Sequence, residues 1–279
     1  MADATALVIP ITLGDAIAQL TELLGMLIDG RRTVITISHR LTRERHLRVP
    51  NRACSVNMLR LAREISRLCG IFPDLVTSLS FDPCPRLTPR VVREFIDACP
   101  ALERLNLYGA RCLGEDDMVY IAKKCPELTY LCISCCFNVT GAWIRRFVQL
   151  RPLREISASG CHFGDDAVFA IAETCWGLRR ICLDYCDVLD AAVIAIARMC
   201  MGLKWISLAC CRRITDAAVF ALAEHCEYLD YINVRNTRVS EEGHRVVSEV
   251  AMRPKPAPLP DYLLDPDRPP TPQQKGTMN

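Results

Sequence analysis

One short unit returns at a nearly constant interval, and that interval constrains the fold more than any other feature of the chain. Trp176-Gly-Leu178-Arg-Arg-Ile181-Cys-Leu183-Asp-Tyr-Cys186 reappears 25 residues later as Met201-Gly-Leu203-Lys-Trp-Ile206-Ser-Leu208-Ala-Cys-Cys211. Both read L-x-x-I-x-L-x-x-C. The first position of the unit recurs at Val76, Leu102, Leu128, Leu153, Leu178, Leu203 and Leu229, with spacings of 26, 26, 25, 25, 25 and 26. The fourth recurs as Leu79, Leu105, Leu131, Ile156, Ile181, Ile206 and Ile232, and the sixth as Phe81, Leu107, Ile133, Ala158, Leu183, Leu208 and Val234. A unit this short cannot bury its apolar side chains alone, so neighbours must stack into a solenoid with one continuous core.

Each unit divides into a strand and a helix. The apolar residues at positions four and six alternate with outward ones, as in a strand with one buried face. Val168/Ile171/Cys175, Val193/Ile196/Cys200 and Val219/Leu222/Cys226 then lie at i, i+3 and i+7, one face of a helix. Val92/Phe95/Cys99 and Met118/Ile121/Cys125 keep the same phase. Thr88, Thr140, Asp165, Asp190 and Thr215 stand at helix starts, where their oxygens are expected to accept from free backbone N–H groups. One unit departs from the pattern: Leu150 replaces the helix-end Cys, and Trp143 and Phe147 are unusually bulky.

Seventeen cysteines would suggest disulfides in a small secreted protein, but here they follow the repeat. One set closes the strand (84, 136, 161, 186 and 211) and another ends the helices (69, 99, 125, 175, 200 and 226). Cys is a small buried hydrophobe with a weak S–H donor, which suits a tight turn repeated inside a core. Reduced thiols are therefore expected. Cys132-x-x-Cys135-Cys136 has no second pair at zinc-ligand spacing, so neither metal nor cofactor is expected. A net charge of +2 and the lack of a long apolar run point to neither nucleic acid nor membrane. Met1-Ala-Asp-Ala-Thr-Ala has no basic leader, so a cytoplasmic or nuclear location is expected.

The chain divides accordingly. Residues 1–75 read as an N-terminal cap of irregular first repeats, with a helix over 12–28 and a strand over 33–37. Residues 31–67 contain ten Arg against Glu44 and Glu64 only, and 38–52 read as a basic loop insertion. Regular repeats occupy 76–237, a capping helix 238–252, and a disordered tail with eight Pro 253–279. Within the tail, residues 259–264 form an apolar island that either folds back on the solenoid or serves as a docking peptide.

No catalytic set emerges. His39, His46, His162, His225 and His244 are scattered, and no Gly-rich phosphate loop follows a strand. What remains is the outward face of the strands. Position three gives Ser78, Arg104, Tyr130, Glu155, Arg180, Trp205 and Tyr231; position five gives small polar residues, Ser207 among them. Position seven adds Tyr108, Asp184 and Arg235, with Tyr185 beside them. Tyr, Trp and Arg are the types enriched at binding hot spots. The predicted partner-binding residues are thus Arg104, Tyr108, Tyr130, Glu155, Arg180, Asp184, Tyr185, Trp205, Tyr231 and Arg235. An exposed Trp205 between Arg180 and Tyr231 is expected to be the anchor, and Ser207 to tolerate substitution.

Cys211-Arg-Arg-Ile214-Thr215-Asp216, with Cys226 ending the following helix, resembles the cysteine-containing subfamily of leucine-rich repeats. The resemblance covers residues 76–237. It implies an α/β leucine-rich-repeat solenoid, with a curved parallel sheet on the concave side and helices on the convex side. Many members of that subfamily are F-box proteins, whose repeats hold substrates for cullin–RING ubiquitin ligases. The resemblance therefore implies a non-catalytic interaction module that binds a protein on its concave face, working with cullin–RING components. Residues 1–70 hold no Trp and no L-P-x-E motif, so the F-box itself is not recognisable. Other members serve as structural subunits or assembly factors of axonemal or mitochondrial complexes, which is the alternative.

Overall fold

The computed structural model describes residues 46–49, 55–81, 87–150 and 153–254, together with Asp15 and Ala18, which are helical. The rest of the helix expected over 12–28, the strand expected over 33–37 and the island at 259–264 lie outside the described residues.

Strands and helices alternate along the chain: β1 (His46–Val49), α1 (Ser55–Cys69), β2 (Ser78–Phe81), α2 (Pro89–Ala98), β3 (Arg104–Asn106), α3 (Glu115–Lys124), β4 (Tyr130–Cys132) and α4 (Ile144–Leu150). They continue as β5 (Glu155–Ser157), α5 (Asp165–Thr174), β6 (Arg180–Cys182), α6 (Asp190–Met199), β7 (Trp205–Ser207), α7 (Asp216–His225), β8 (Tyr231–Asn233) and α8 (Glu241–Met252). The eight strands form one parallel sheet in sequence order, β1 to β8. Each strand is followed by a helix, and neighbouring helices pack against each other as neighbouring strands do. Helices need about 10 Å of lateral room and strands about 4.8 Å, so the stack bends with its strands inside. The fold is an α/β leucine-rich-repeat-like solenoid.

The inward residues at positions one, four and six form one buried core. Leu178, Ile181, Leu183, Leu203, Ile206 and Leu208 are all at 0% exposure. The closing cysteines fill the turn and use their thiols: Cys136 Sγ donates to Leu107 O at 3.1 Å, Cys161 Sγ to Ile133 O at 3.0 Å, and Cys211 Sγ to Leu183 O at 3.0 Å. Each bond reaches the carbonyl at position six of the preceding unit, so Cys at position nine staples successive coils. At the helix ends, Cys200 Sγ donates to Cys175 O at 3.4 Å in the same manner. All fifteen described cysteines are free thiols.

Residues 38–52 are not simply an inserted loop. His46–Val49 is the first strand of the sheet, with Leu47 opposite Leu79 and Val49 opposite Phe81. Leu47 and Val49 are buried, at 3% and 1% exposure. Their alternation is hidden among arginines, and the step from Leu47 to Leu79 is longer than the regular period, which is why the repeat spacing misses it.

The side chains at the helix starts accept from backbone N–H groups as expected, but not all within their own coil. Thr88 and Thr215 do cap their own helices, accepting from Val91 N and Ala217 N at 3.4 Å. Asp165 and Asp190 instead occupy the first helical position and reach into the next coil. Asp165 Oδ1 accepts from Leu189 N at 2.8 Å. Asp190 takes Thr215 N at 2.8 Å and Thr215 Oγ1 at 2.6 Å, and Asp216 repeats this with Ser240 at 2.8 and 2.6 Å. A carboxylate at this point lies near the positive end of its own helix while saturating the start of the next. Thr140 accepts from Ala142 N at 3.4 Å, and its hydroxyl donates to Glu115 of the preceding coil.

In the irregular unit, α4 is short and Trp143 stands just before it, 2% exposed. Its ring meets Phe147 edge-on at 5.1 Å and Phe163 at 6.3 Å, so aromatic bulk fills the volume left by the missing helical residues. Gly141 permits the close approach: a Cβ there would lie 2.8 Å from that of Ala167.

Candidate protein-binding face

Parallel pairing in strict register turns the outward columns into continuous files. At position three, Ser78, Arg104, Tyr130, Glu155, Arg180, Trp205 and Tyr231 are successive Cα partners across β2 to β8. Ordinary strand spacing puts consecutive members about 4.8 Å apart, which is stacking distance for planar groups.

They do stack. The Arg104 guanidinium lies 4.1 Å from the centre of the Tyr130 ring and reaches on to Glu155 at 3.5 Å. Glu155 is also 4.0 Å from Arg180. The Arg180 guanidinium in turn lies 5.0 Å from the centre of the Trp205 ring, and Trp205 and Tyr231 stack at 5.3 Å with planes 7° apart. Burial, followed by the nearby Cys132 and partly offset by Arg104, pushes the Tyr130 phenol up to about 12. It therefore stays a neutral, hydrogen-bonding ring at any ordinary pH.

The geometry corrects the expectation for Trp205. Its neighbours on the two flanking strands cover both faces of the indole, so it is half-buried rather than exposed. The free surface at that end belongs to Arg180, with 53% of its side chain exposed, and to Tyr231 at 44%. Trp205 is the plate that holds the other two in place.

Position five makes the floor of the face, and it is already hydrogen-bonded. Ser134 and Ser157 share a bond of 2.8 Å, and Ser159 lies 2.9 Å from Cys182 Sγ. Ser207 Oγ donates to Asp184 Oδ1 at 2.5 Å and accepts from Asn233 Nδ2 at 3.0 Å. Asp184 Oδ1 also accepts from Ala209 N at 2.8 Å. Ser207 is 1% exposed and part of this network, so it is not the tolerant outward residue that alternation suggests. Asp184 serves the floor of the face.

The opposite wall is made by a turn the sequence does not announce. Gly109, Cys135, Gly160, Tyr185, Cys210 and Asn236 all have φ between 59° and 69°. These are the eighth positions of successive units, where the chain leaves the strand. Left-handed backbone is costly for a side chain other than Gly or Asn, so Tyr185 and the two cysteines are held there by the stack. The turn throws Tyr185 outward, 70% exposed, with its hydroxyl beside the Cys210 thiol, a contact that raises its pKa. Tyr108 at position seven is 45% exposed, and its hydroxyl meets Cys135 in the same way. Arg235 is exposed at the end of this wall. All ten predicted residues lie on one face, between an Arg/aromatic file and a tyrosine rim, above a saturated floor.

In the helix layer, Arg93 pairs with Asp117 at 2.7 Å, and Asp97 accepts from Tyr120 at 2.7 Å and lies 3.3 Å from Lys124. Among the described residues, no group of three or more His, Cys, Asp or Glu is placed to hold a metal ion, and no helix is long and apolar enough to cross a membrane.

No family model matches the sequence, and no curated protein matches it. Among solved structures, the chain is similar to one in the crystal structure of the Rad7 and Elc1 complex from yeast. The TM-score is 0.54 at 17% identity, over 71% of this chain and 64% of that one. The chain thus spans less than two thirds of that protein's length, and the likeness is one of fold. It is also similar to the tropomodulin C-terminal domain from Caenorhabditis elegans, with a TM-score of 0.41 at 13% identity, over 50% of this chain and 92% of that one.

Proposed function

We propose that the chain is a non-catalytic recognition module that grips a protein partner on its concave face. The observation that carries this reading is the file Arg104, Tyr130, Glu155, Arg180, Trp205, Tyr231, one residue from each of six adjacent strands, pre-stacked and pre-paired. A side chain already held in its binding conformation loses little freedom on association, so its contact area converts efficiently into affinity. The closing and helix-end thiols are mostly buried and protonated, which supports a structural rather than a nucleophilic role for them. The yeast chain of similar fold was crystallised with a second protein, Elc1, and this supports a partner-binding role.

More finely, the module acts as the substrate-recognition part of a ubiquitin ligase, in the manner of F-box/leucine-rich-repeat receptors, in the cytoplasm or nucleus. The test is affinity purification of the tagged full chain followed by identification of its companions. A cullin and its adaptor, together with a substrate, are the expected outcome. A fixed-stoichiometry assembly without them would assign the chain to the structural subunits instead.

The surface is tested in the same format. Trp205→Ala and Tyr231→Ala should each weaken capture roughly 30-fold, corresponding to about 2 kcal/mol, while the melting temperature moves little. Arg43→Ala with Arg45→Ala, in the basic segment, should leave capture unchanged. Loss of the partner by the arginine variant alone would move the site to the N-terminal segment.

A further inference from the structure

A basic run lies beside the Arg/aromatic file, where the strands begin. Position two of successive units reads Thr77, Glu103, Thr129, Arg154, Arg179, Lys204 and Asp230. Backbone pairing holds the three basic members side by side: Arg154 O accepts from Arg179 N at 2.7 Å, and Arg179 O from Lys204 N at 2.9 Å. Like charges on neighbouring strands repel, so a column serving stability alone would not place three bases in a row.

Arg179 is the centre of the run. Its guanidinium crosses to the next coil, where Nη1 donates to Gly202 O at 3.2 Å, while Nη2 is buried and has no acceptor. Gly202 makes the room for it, since a Cβ there would lie 1.9 Å from Nη1. Burial first, then the like charge of Arg154, pulls the Arg179 pKa below the usual arginine value, and no carboxylate is among the groups that act on it. Among the described residues neither Arg179 nor Lys204 forms an ion pair. The arginines of the neighbouring file differ in this, because Arg104 and Arg180 share Glu155. The acids of the face are thus engaged: Glu155 holds those two, and Asp184 accepts from Ser207 and Ala209. A half-buried cation with an unmet donor is one half of an interaction, and the chain does not supply the other.

We propose that the partner segment seated on Arg180, Trp205 and Tyr231 carries an acidic group, a carboxylate or a phosphate, that docks on Arg179 between Arg154 and Lys204. The inference rests on the concave-face reading above and adds the chemistry of what the face accepts. Arg179 adjoins Arg180 in the chain, and Lys204 adjoins Trp205, so a segment covering the aromatic pair passes directly over the bases. Its oxyanion meets the planar fork of a guanidinium that Gly202 holds in place, with a second arginine and a lysine on either side. The incoming charge offsets both the repulsion along the column and the desolvation of Arg179. The segment that fits is therefore an aromatic or apolar anchor with acidic residues beside it.

The experiment is fluorescence anisotropy on the full chain, purified alone, with short synthetic peptides that place an aromatic residue beside glutamates, phosphoserines or lysines. The anionic peptides should bind and the lysine peptide should not. Tighter binding of the phosphoserine form names a phosphate as the group, and tighter binding of the glutamate form names a carboxylate. Arg179→Gln/Lys204→Gln should weaken the anionic peptides about tenfold or more. Gly202→Ala keeps every charge but closes the seat of the guanidinium, so it should weaken them as well, whereas Arg43→Ala/Arg45→Ala should not. Failure of both anionic peptides to bind the wild type, equal binding of the lysine peptide, or unchanged affinity in the Gln variant or in Gly202→Ala overturns the proposal. So does an equal loss in the Arg43/Arg45 variant, since the attraction is then one of general charge. Trp205→Ala separates this inference from the reading it rests on. Loss in Trp205→Ala without loss in the Gln variant overturns the acid contact and keeps the aromatic file; the reverse keeps the acid contact and removes the file.

Discussion

Ser207 and Leu208 are neighbours with opposite side-chain directions, and both are buried. Leu208 points into the core at 0% exposure between two coils. Leu208→Ala should cost about 2–5 kcal/mol through lost burial and the cavity left behind. Ser207 points into the floor of the concave face, donating to Asp184 at 2.5 Å and accepting from Asn233. Ser207→Ala removes that donor from a partly buried carboxylate and should cost about 1–3 kcal/mol, whereas a free surface serine would cost little. Urea midpoints of the two variants check both values. A Ser207→Ala midpoint equal to the wild type would show that the floor network contributes nothing. Alternation marks which way each side chain points; whether an outward hydroxyl meets water or a carboxylate depends on the residue one coil away.

At the scale of elements, the coil-to-coil carboxylates fix how α6, α7 and α8 start. Asp216 is the last of them and holds Ser240, the N-cap of α8, through two bonds. The Ser240 side-chain bond first, then its backbone N–H, pulls the Asp216 pKa below its ordinary 3.8. A carboxyl depressed in the folded state contributes stability that is fully present above its unfolded value and is lost as pH falls through the folded one. Docking of α8 should therefore loosen below about pH 4, ahead of the central coils. Exchange of the α8 amides across an acid series follows this, and Asp216→Asn should show the loosening already at neutral pH. If α8 and α6 open together at every pH in both proteins, the carboxylate is not what holds the terminal helix.

The whole molecule is one stack, so a property repeated in every coil adds up along it. Burial, the largest cause for each, pushes the thiols of Cys136, Cys175, Cys186 and Cys226 up to about 12, and those of Cys161 and Cys211 up to about 11. In the unfolded chain they ionise near 9.0. A group whose pKa is raised by folding stays protonated longer in the folded state. Stability is then full below the unfolded value and is lost as pH rises toward the folded one. Urea midpoints should be level at neutral pH and fall steeply from about pH 9 upward, more steeply than one group would allow. A flat profile to about pH 11 would mean that the thiols are not buried as a set. Thiol titration of the unreduced chain in denaturant should find all seventeen.

The spacing of Leu, Ile and Cys was enough to determine the fold class, the strand register and the column to which each outward residue belongs. All three follow from local rules: period two in strands, 3.6 in helices, and a repeat that must stack to bury its core. The ten residues of the candidate face were legible for that reason. Four things waited for the tertiary structure, and each depends on a contact between coils. His46–Val49 is a strand because Leu79 and Phe81 lie beside it, although its alternation is buried among arginines. Asp165 and Asp190 bond the next coil, and no sequence spacing states which helix a carboxylate serves. Tyr185 leaves the strand in left-handed backbone, a conformation that Tyr does not favour by itself and that the turn before Cys186 imposes. Trp205 is covered on both faces because Arg180 and Tyr231 lie one strand away on either side, about the thickness of a stacked ring. Sequence placed these three in a row; the distance between strands made them a stack.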